Sequence, residues 1–348
     1  MKTLYFLDVE EGNIAQRDLF NAATKAKFDV RKTIENLGIK TIIVRKNTTP
    51  YKFVNTVIDF LRVVVLFVKI LFVVRQNSVL LLQRRFSHIK LLLISKALKL
   101  KHSELCILIH DINCLRFDKN KGTKRELSEI KNFNLADSLI VHTPAMGKKM
   151  KEIGITPKQY PLYLFDYYTD NSPANQIVAK NEVVFAGNLG KSEFLKLLNN
   201  YHFEKIKFNL YGFEKPAFIT NENLRYFGRF QANHISDIQG GWGLVWDGSS
   251  VETCDGILGD YLRYNSSHKS SLYLVAELPL IIWSQSSLRS FVEERNIGII
   301  VDSIEEIEEK ISSMTDDEYQ ILKNNAKTIS AELKAGKMLE RILLLLVA

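Results

Sequence analysis

Along the first half of the chain, short apolar runs alternate with longer stretches whose apolar residues recur at helical spacing. The runs predict strands over 3–7, 40–44, 78–82, 105–109 and 138–141. The periodic stretches predict helices over 15–37, 51–74, 88–100 and 124–134, with a further short helix over 144–150. The strand candidates are continuously apolar, as strands buried on both faces of a parallel sheet are. A polar segment around Pro173 reads as a linker. Beyond it the alternation resumes, with strands predicted over 182–186, 207–211, 224–227, 243–246, 279–283 and 298–301. Thr315 and Glu318 stand at capping-box spacing before a late helix, and 338–347 is strongly apolar. The expectation is an α/β chain of two Rossmann-like domains, 1–170 and 171–325. A C-terminal helix over 326–348 packs back on the first domain or meets another subunit. Open α/β sheets bind ligands at the carboxyl ends of their strands, where the strand order reverses. Two such domains predict a closable site in the cleft where they face each other.

Composition narrows the partners. The chain has 348 residues, 46% hydrophobic and 25% charged, ordinary values for two folded domains. A formal net charge of +8 favours nucleotides, nucleic acid or an anionic membrane surface. The basic residues form no stripe and no nucleic-acid-binding module, so nucleic acid is not expected. Three cysteines without Cys-x-x-Cys spacing suit a reducing cytoplasm, with Cys106 a buried thiol in a strand. The N-terminus turns acidic at Asp8, too soon for a signal peptide, and reads as a first strand. Residues 54–74 are rich in Val, Leu, Ile and Phe, but Asp59, Arg62 and Lys69 interrupt them on one face. A spanning helix needs about 20 apolar residues with few charges. A helix packed on a sheet is therefore preferred, with an interfacial helix on lipid as the alternative.

The residues that can carry chemistry cluster after strands. Gly187, Asn188 and Lys191 follow the strand at 182–186 in a turn that opens a helix; Gly187 lets a ligand approach the backbone, and the helix offers free N–H groups. An ordinary strand-to-helix turn uses the same residues. His268, Lys269, Ser270 and Ser271 precede or begin another helix, where Lys269 and the hydroxyls suit a diphosphate. Asp247 ends a strand as a ligand-facing carboxylate or an Asx-turn, and Tyr211 ends another as a base or ribose contact or a core residue. In the first half, His110 and Asp111 follow the strand at 105–109, placed to deprotonate a hydroxyl or to cap a loop. Asp8, Arg17 and Arg116 are candidates for holding an acceptor; Asp8, Glu10 and Glu11 are weaker rivals as base. The chain has no Walker A loop, no Gly-x-Ser-x-Gly, no Gly-x-Gly-x-x-Gly after the first strand and no Asp-x-Asp. Departing phosphate charge then falls to Lys, hydroxyls and helix dipoles, with no metal and no other cofactor expected.

These segments carry a resemblance. Leu108-Ile-His-Asp-Ile112, Phe185-Ala-Gly-Asn-Leu189, Gly243-Leu-Val-Trp-Asp-Gly248, Val251-Glu-Thr-Cys254, His268-Lys269 with Ser271-Leu-Tyr-Leu274, Glu277-Leu-Pro279 and Asn296-Ile-Gly298 occur in the order seen in bacterial glycosyltransferases. The chain resembles the β-galactofuranosyltransferases of O-antigen synthesis and, more distantly, the glucosyltransferase that extends glycans of streptococcal serine-rich adhesins. The resemblance implies a GT-B fold with UDP-sugar in the C-terminal domain and acceptor in the N-terminal one. Gly187, Asn188 and Lys191 match the family's donor turn, and Lys269 its phosphate-binding lysine. Many GT-B enzymes place a carboxylate three residues after that lysine to hold the ribose; here the position is Leu272.

The expected reaction transfers a sugar, foremost galactofuranose, from UDP to a hydroxyl of a cell-surface glycan intermediate, inverting the anomeric carbon. Asp111 is the expected base, with His110 orienting it or sharing the role. A UDP-glucosyltransferase acting on a polysaccharide or glycoprotein is the alternative; a non-catalytic partner of another transferase is an alternative of a different class. The expected location is the cytoplasm, with peripheral contact at the inner face of an anionic membrane. Self-association is expected from the apolar C-terminus and the family.

Overall fold

The structure is a computed structural model that describes residues 2–10, 22–45, 52–83, 86–116, 122–173 and 179–348. These fall into two compact units. Among the described residues, the first unit holds 2–10, 31–162 and Leu339–Ala348, and the second holds 22–30 and 163–338.

The first unit is built on β1 (Thr3–Glu10), β2 (Lys40–Arg45), β3 (Ser78–Leu82), β4 (Glu104–Leu108), β5 (Ser138–Val141) and β6 (Lys158–Pro161). All pairs are parallel, in the order β2-β1-β3-β4-β5-β6, so the order reverses between β1 and β3. Parallel neighbours need crossovers. Among the described residues these run through α1 (Ala22–Asn36), α2 (Lys52–Val73), α3 (His88–Leu100), α4 (Asn113–Arg116), α5 (Lys124–Phe133) and α6 (Pro144–Glu152). Thr123 and Thr143 cap α5 and α6, and Pro144 sits in the first turn of α6, where its missing N–H costs nothing. β3 is buried at every position, which is why its sequence is Ser-Val-Leu-Leu-Leu without a polar alternate.

The second unit carries β7 (Glu182–Ala186), β8 (Lys207–Tyr211), β9 (Leu224–Gly228), β10 (Trp242–Val245), β11 (Leu280–Trp283) and β12 (Gly298–Val301). The parallel order β12-β11-β10-β7-β8-β9 reverses between β7 and β10, the doubly wound arrangement. Its helices are α7 (Phe194–Leu198), α8 (Gly256–Tyr261), α9 (His268–Val275), α10 (Arg289–Arg295), α11 (Glu306–Ser313) and α12 (Asp316–Lys334). The expected capping box forms at α12: Thr315 accepts from the Glu318 N–H, and the Glu318 carboxylate accepts from the Thr315 N–H. The indoles of Trp242 and Trp246 are fully buried, and each donates its N–H to a carbonyl, of Lys180 and Ser250. A last helix, α13 (Lys337–Val347), returns to the first unit from Leu339 onward. There it buries Leu339, Ile342, Leu343 and Leu346, and the Lys2 N–H donates to the Val347 carbonyl.

The first half of α1 belongs to the second unit through a buried ion pair. Lys25 pairs with Asp29, donates to the Tyr168 carbonyl at 2.7 Å and lies 4.1 Å over the Tyr167 ring. Asp29 also accepts from the Tyr168 N–H at 3.2 Å. Burial pushes the Asp29 carboxyl up to about 7 and the Lys25 ammonium down, each opposed by the other's charge.

Most strands stand where the apolar runs predict them. β4 and β10 each begin and end one residue earlier than expected. β6 was not expected, because Lys-Gln-Tyr-Pro is a polar edge strand with no apolar run. Of the helix expected over 15–37, residues 15–21 lie outside the described residues.

Candidate active site

In the second unit the site is built where the strand order reverses. Gly187 follows β7 and Trp246-Asp247 follows β10, so their backbones meet at the carboxyl edge. α9 is seated on this edge by Tyr273. Its ring lies on Gly243, where a Cβ would come within 2.1 Å of it, and its hydroxyl accepts from the Ala186 N–H at 2.9 Å. One turn earlier on the same helix face is Lys269. Its Nζ stands 3.1 Å from Asp247 Oδ1, 3.3 Å from the Trp246 carbonyl and 4.7 Å over the Phe185 ring. A Cβ at residue 187 would press on Lys269 Cε at 3.3 Å, so Gly187 leaves the room the lysine lies in. The side chains of Lys269 and Asp247 remain 17% and 25% exposed, so a ligand can reach the pair. The structure thus brings together Gly187, Asp247 and Lys269, three residues the sequence singles out. Next to Lys269, the His268 ring lies against Tyr167 and Phe165, with centroids 5.4 and 6.1 Å away.

Four sequence expectations are corrected. α9 begins at His268 behind an N-cap at Ser267, which accepts from the Lys269 N–H, and not at Ser270. Ser270 and Ser271 are consequently turned into the core, 0% and 1% exposed, and Ser271 donates to the Phe165 carbonyl at 2.7 Å. Hydroxyls without accessible surface do not meet a phosphate. Tyr211 is likewise a core residue: it accepts from the Gln239 N–H at 2.9 Å, donates to the Asp237 carbonyl at 3.1 Å and stacks on Phe227, and burial pushes its phenol up to about 12. The turn after Gly187 does not open a helix directly. Asn188 Oδ1 accepts from the Lys191 N–H at 3.2 Å, and α7 starts only at Phe194, whose N–H is taken by the Gly248 carbonyl. Asn188 and Lys191 remain exposed on this turn.

Asp255 is a residue that sequence reasoning missed. Its carboxylate accepts from the N–H groups of Ser249 and Ser250 at 2.7 and 3.2 Å and from the Ser249 hydroxyl. Burial opposes its charge, yet these donors hold its carboxyl below the usual range. It closes the loop that leads out of Asp247. The signal was the pair of Asp-Gly steps, 247–248 and 255–256, whose glycines both take positive φ.

In the first unit, His110 and Asp111 follow β4. Asp111 Oδ2 is 3.2 Å from Arg116 Nη1, with both side chains more than a third exposed on average, and His110 Nε2 is 3.3 Å from Gln83 Oε1. Two N–H groups at the start of α4 donate to the Glu129 carboxylate, which fixes the turn. Beneath it lies His142, also missed, directly after β5. Its Nε2 donates to the Ile109 carbonyl at 3.1 Å, since a carbonyl only accepts. Burial pushes its imidazole down to about 4, so it is neutral at pH 7. Asp8 is buried and paired with Arg31, which also donates to the Val9 carbonyl at 3.0 Å. Asp8 therefore anchors α1 and does not present a free carboxylate. Arg17, the third acceptor candidate, lies outside the described residues, as does Glu11.

All three cysteines are buried; burial pushes Cys106 up to about 12 and the other two further, so none is a nucleophile at neutral pH. Among the described residues no group of three or more His, Cys, Asp or Glu side chains is placed to hold a metal ion.

Two Rossmann-type sheets give the chain the GT-B fold, and with the relatives that follow they make it a glycosyltransferase of the GT-B type. The chain belongs to the glucosyltransferase 3-like family: its N-terminal domain model matches residues 12–163 and its C-terminal domain model residues 183–345. The β-1,6-galactofuranosyltransferase WbbI of Escherichia coli is 33% identical over 243 residues, 68% of this chain and 69% of that protein. Glucosyltransferase 3 of Streptococcus gordonii is 28% identical over 249 residues, 71% of this chain and 72% of that protein. Among solved structures, sucrose-phosphate synthase from Thermosynechococcus elongatus superposes with a TM-score of 0.58 at 10% identity, covering 99% of this chain and 98% of that one. WaaG, a glycosyltransferase involved in lipopolysaccharide biosynthesis, gives 0.55 at 10% identity, covering 97% and 98%. These two likenesses establish the fold.

Proposed function

We propose that the protein transfers galactofuranose from UDP-galactofuranose to a hydroxyl of a cell-surface glycan intermediate, with inversion and without a bound metal. The observation that carries this reading is Lys269, fixed between Asp247 and Phe185 at the point where the strand order reverses. There a fixed ammonium meets the diphosphate, with Lys191 on the neighbouring turn as a second cation. Asp111 takes the proton of the acceptor hydroxyl, and Arg116 keeps its carboxylate in one orientation. The acceptor oxygen then bonds to the anomeric carbon as the bond to the β-phosphate oxygen breaks, and UDP leaves with the electron pair. Fixed charge at the leaving oxygen lowers the barrier because it needs no reorganisation as the bond breaks. The choice of galactofuranose rests on the similarity to the Escherichia coli enzyme.

A second reading keeps the site and changes the donor to UDP-glucose. It is favoured by the family models, which match both halves of the chain, and by the streptococcal relative. Titration calorimetry with UDP, UDP-galactofuranose, UDP-galactopyranose and UDP-glucose, without metal and then with magnesium, separates the readings. Metal-free binding with a preference for galactofuranose is expected. Tighter binding of UDP-glucose moves the second reading to the front, and failure of every UDP compound to bind overturns both.

A further inference from the structure

The sequence leaves one segment unexplained by the reaction, the apolar helix α2. Its inner face is ordinary: Val63, Leu66 and Ile70 are buried in the first unit. Its outer face departs from the rule that a surface helix turns polar residues to water. Leu61, Val65, Val68 and Phe72 recur there at helical spacing, from 43% exposed at Val68 to 86% at Phe72. α2 packs on α3, which exposes Ile89 and Leu100 at 68% and 65%. A contiguous apolar stripe of this kind marks a docking surface.

Charge identifies the occupant. Arg62 and Lys69 border the stripe on one flank of α2, and α3 carries Lys96 and Lys99, both exposed. No Asp or Glu occurs between Asp59 and Glu104, so from residue 60 of α2 through β3 and α3 the only charged side chains are basic. Pairing with a second copy through the same face would set these cations against each other, because a two-fold contact repeats the same patch on both sides. An anionic lipid surface offers what the face lacks: acyl chains for Phe72 and Val65, phosphate for Arg62 and Lys69. Among the described residues no helix is long and apolar enough to cross a membrane, so this one lies on the surface.

We propose that the outer face of α2, flanked by the basic residues of α3, seats the protein on an anionic membrane surface. The test uses the whole protein in flotation with vesicles of phosphatidylcholine alone or mixed with phosphatidylglycerol, at low and high salt. Binding is expected with the anionic vesicles, at least about tenfold above phosphatidylcholine, and weakening with salt. Val65→Ser with Phe72→Ser lowers partitioning by about tenfold or more at every salt concentration. Arg62→Gln with Lys69→Gln lowers it roughly thirtyfold at low salt. Thermal midpoints and UDP binding of both variants stay at wild-type values, since none of these residues belongs to the donor site. Binding no stronger to anionic than to neutral vesicles at low salt overturns the proposal. So does a wild-type oligomer that the Val65→Ser/Phe72→Ser variant converts to monomers, which makes the face a subunit contact.

Discussion

At the scale of single residues, the donor site turns on how one ammonium is held. Lys269 is kept in place by a carboxylate, a carbonyl and an aromatic face, and Gly187 leaves it room. Lys269→Ala removes the charge that meets the leaving diphosphate, and turnover at saturating donor falls by about a hundredfold or more. Near-normal turnover in a steady-state assay removes Lys269 from that role. His142 sets a pH dependence of stability. Its folded value, about 4, lies below the ordinary imidazole value near 6.5. Its contribution is therefore fully present above pH 6.5 and is lost as the pH falls towards 4, where the unfolded chain binds the proton first. Roughly 2 kcal/mol should disappear between pH 7 and pH 5, and His142→Gln should flatten that slope in urea unfolding curves. The same slope in the variant would assign the loss to other groups.

At the scale of elements, α9 and α1 each depend on a contact that cannot be relaxed locally. Tyr273 lies so close on β10 that Gly243→Ala must push α9 off the sheet, and Lys269 with it. The variant should lose about 1–3 kcal/mol of stability and should also bind UDP more weakly. A stability loss with unchanged UDP affinity would show that α9 absorbs the strain without moving its N-terminus. In α1, the buried pair Lys25–Asp29 leaves an uncompensated charge if either partner is removed. Lys25→Met or Asp29→Leu alone should cost about 3–5 kcal/mol, and the double variant much less than the sum, measured as a double-mutant cycle by chemical unfolding. Additive losses would mean that the two groups do not act as a pair. Elements were the most legible feature of the sequence, because parallel strands buried on both faces read as unbroken apolar runs. β6 escaped because an edge strand has no such run. Helix phase was the least legible. Capping by Ser267 starts α9 two residues earlier than expected, so Ser270 and Ser271 lie inside its first turn on the face packed into the core, while Lys269 faces the sheet edge.

At the scale of the whole molecule, the order of strands was not legible, since it depends on pairings between distant segments. Yet it decides which strand ends share an edge, and so why Gly187 and Asp247 meet. The candidate base was legible as a residue, Asp111 after an apolar run; its fixing by Arg116 and the support of its turn by His142 were not, because they come from packing. The path of the chain has a consequence for biogenesis. α13 belongs with a sheet whose first strand is made at the opposite end of the sequence, and Lys2 is joined to Val347 by a backbone hydrogen bond. Domains generally mature in the order in which they are synthesised. Here every strand of the second unit leaves the ribosome before the helix that completes the first. The unit begun first is therefore finished last, and until then the apolar positions that α13 covers are open to chaperones.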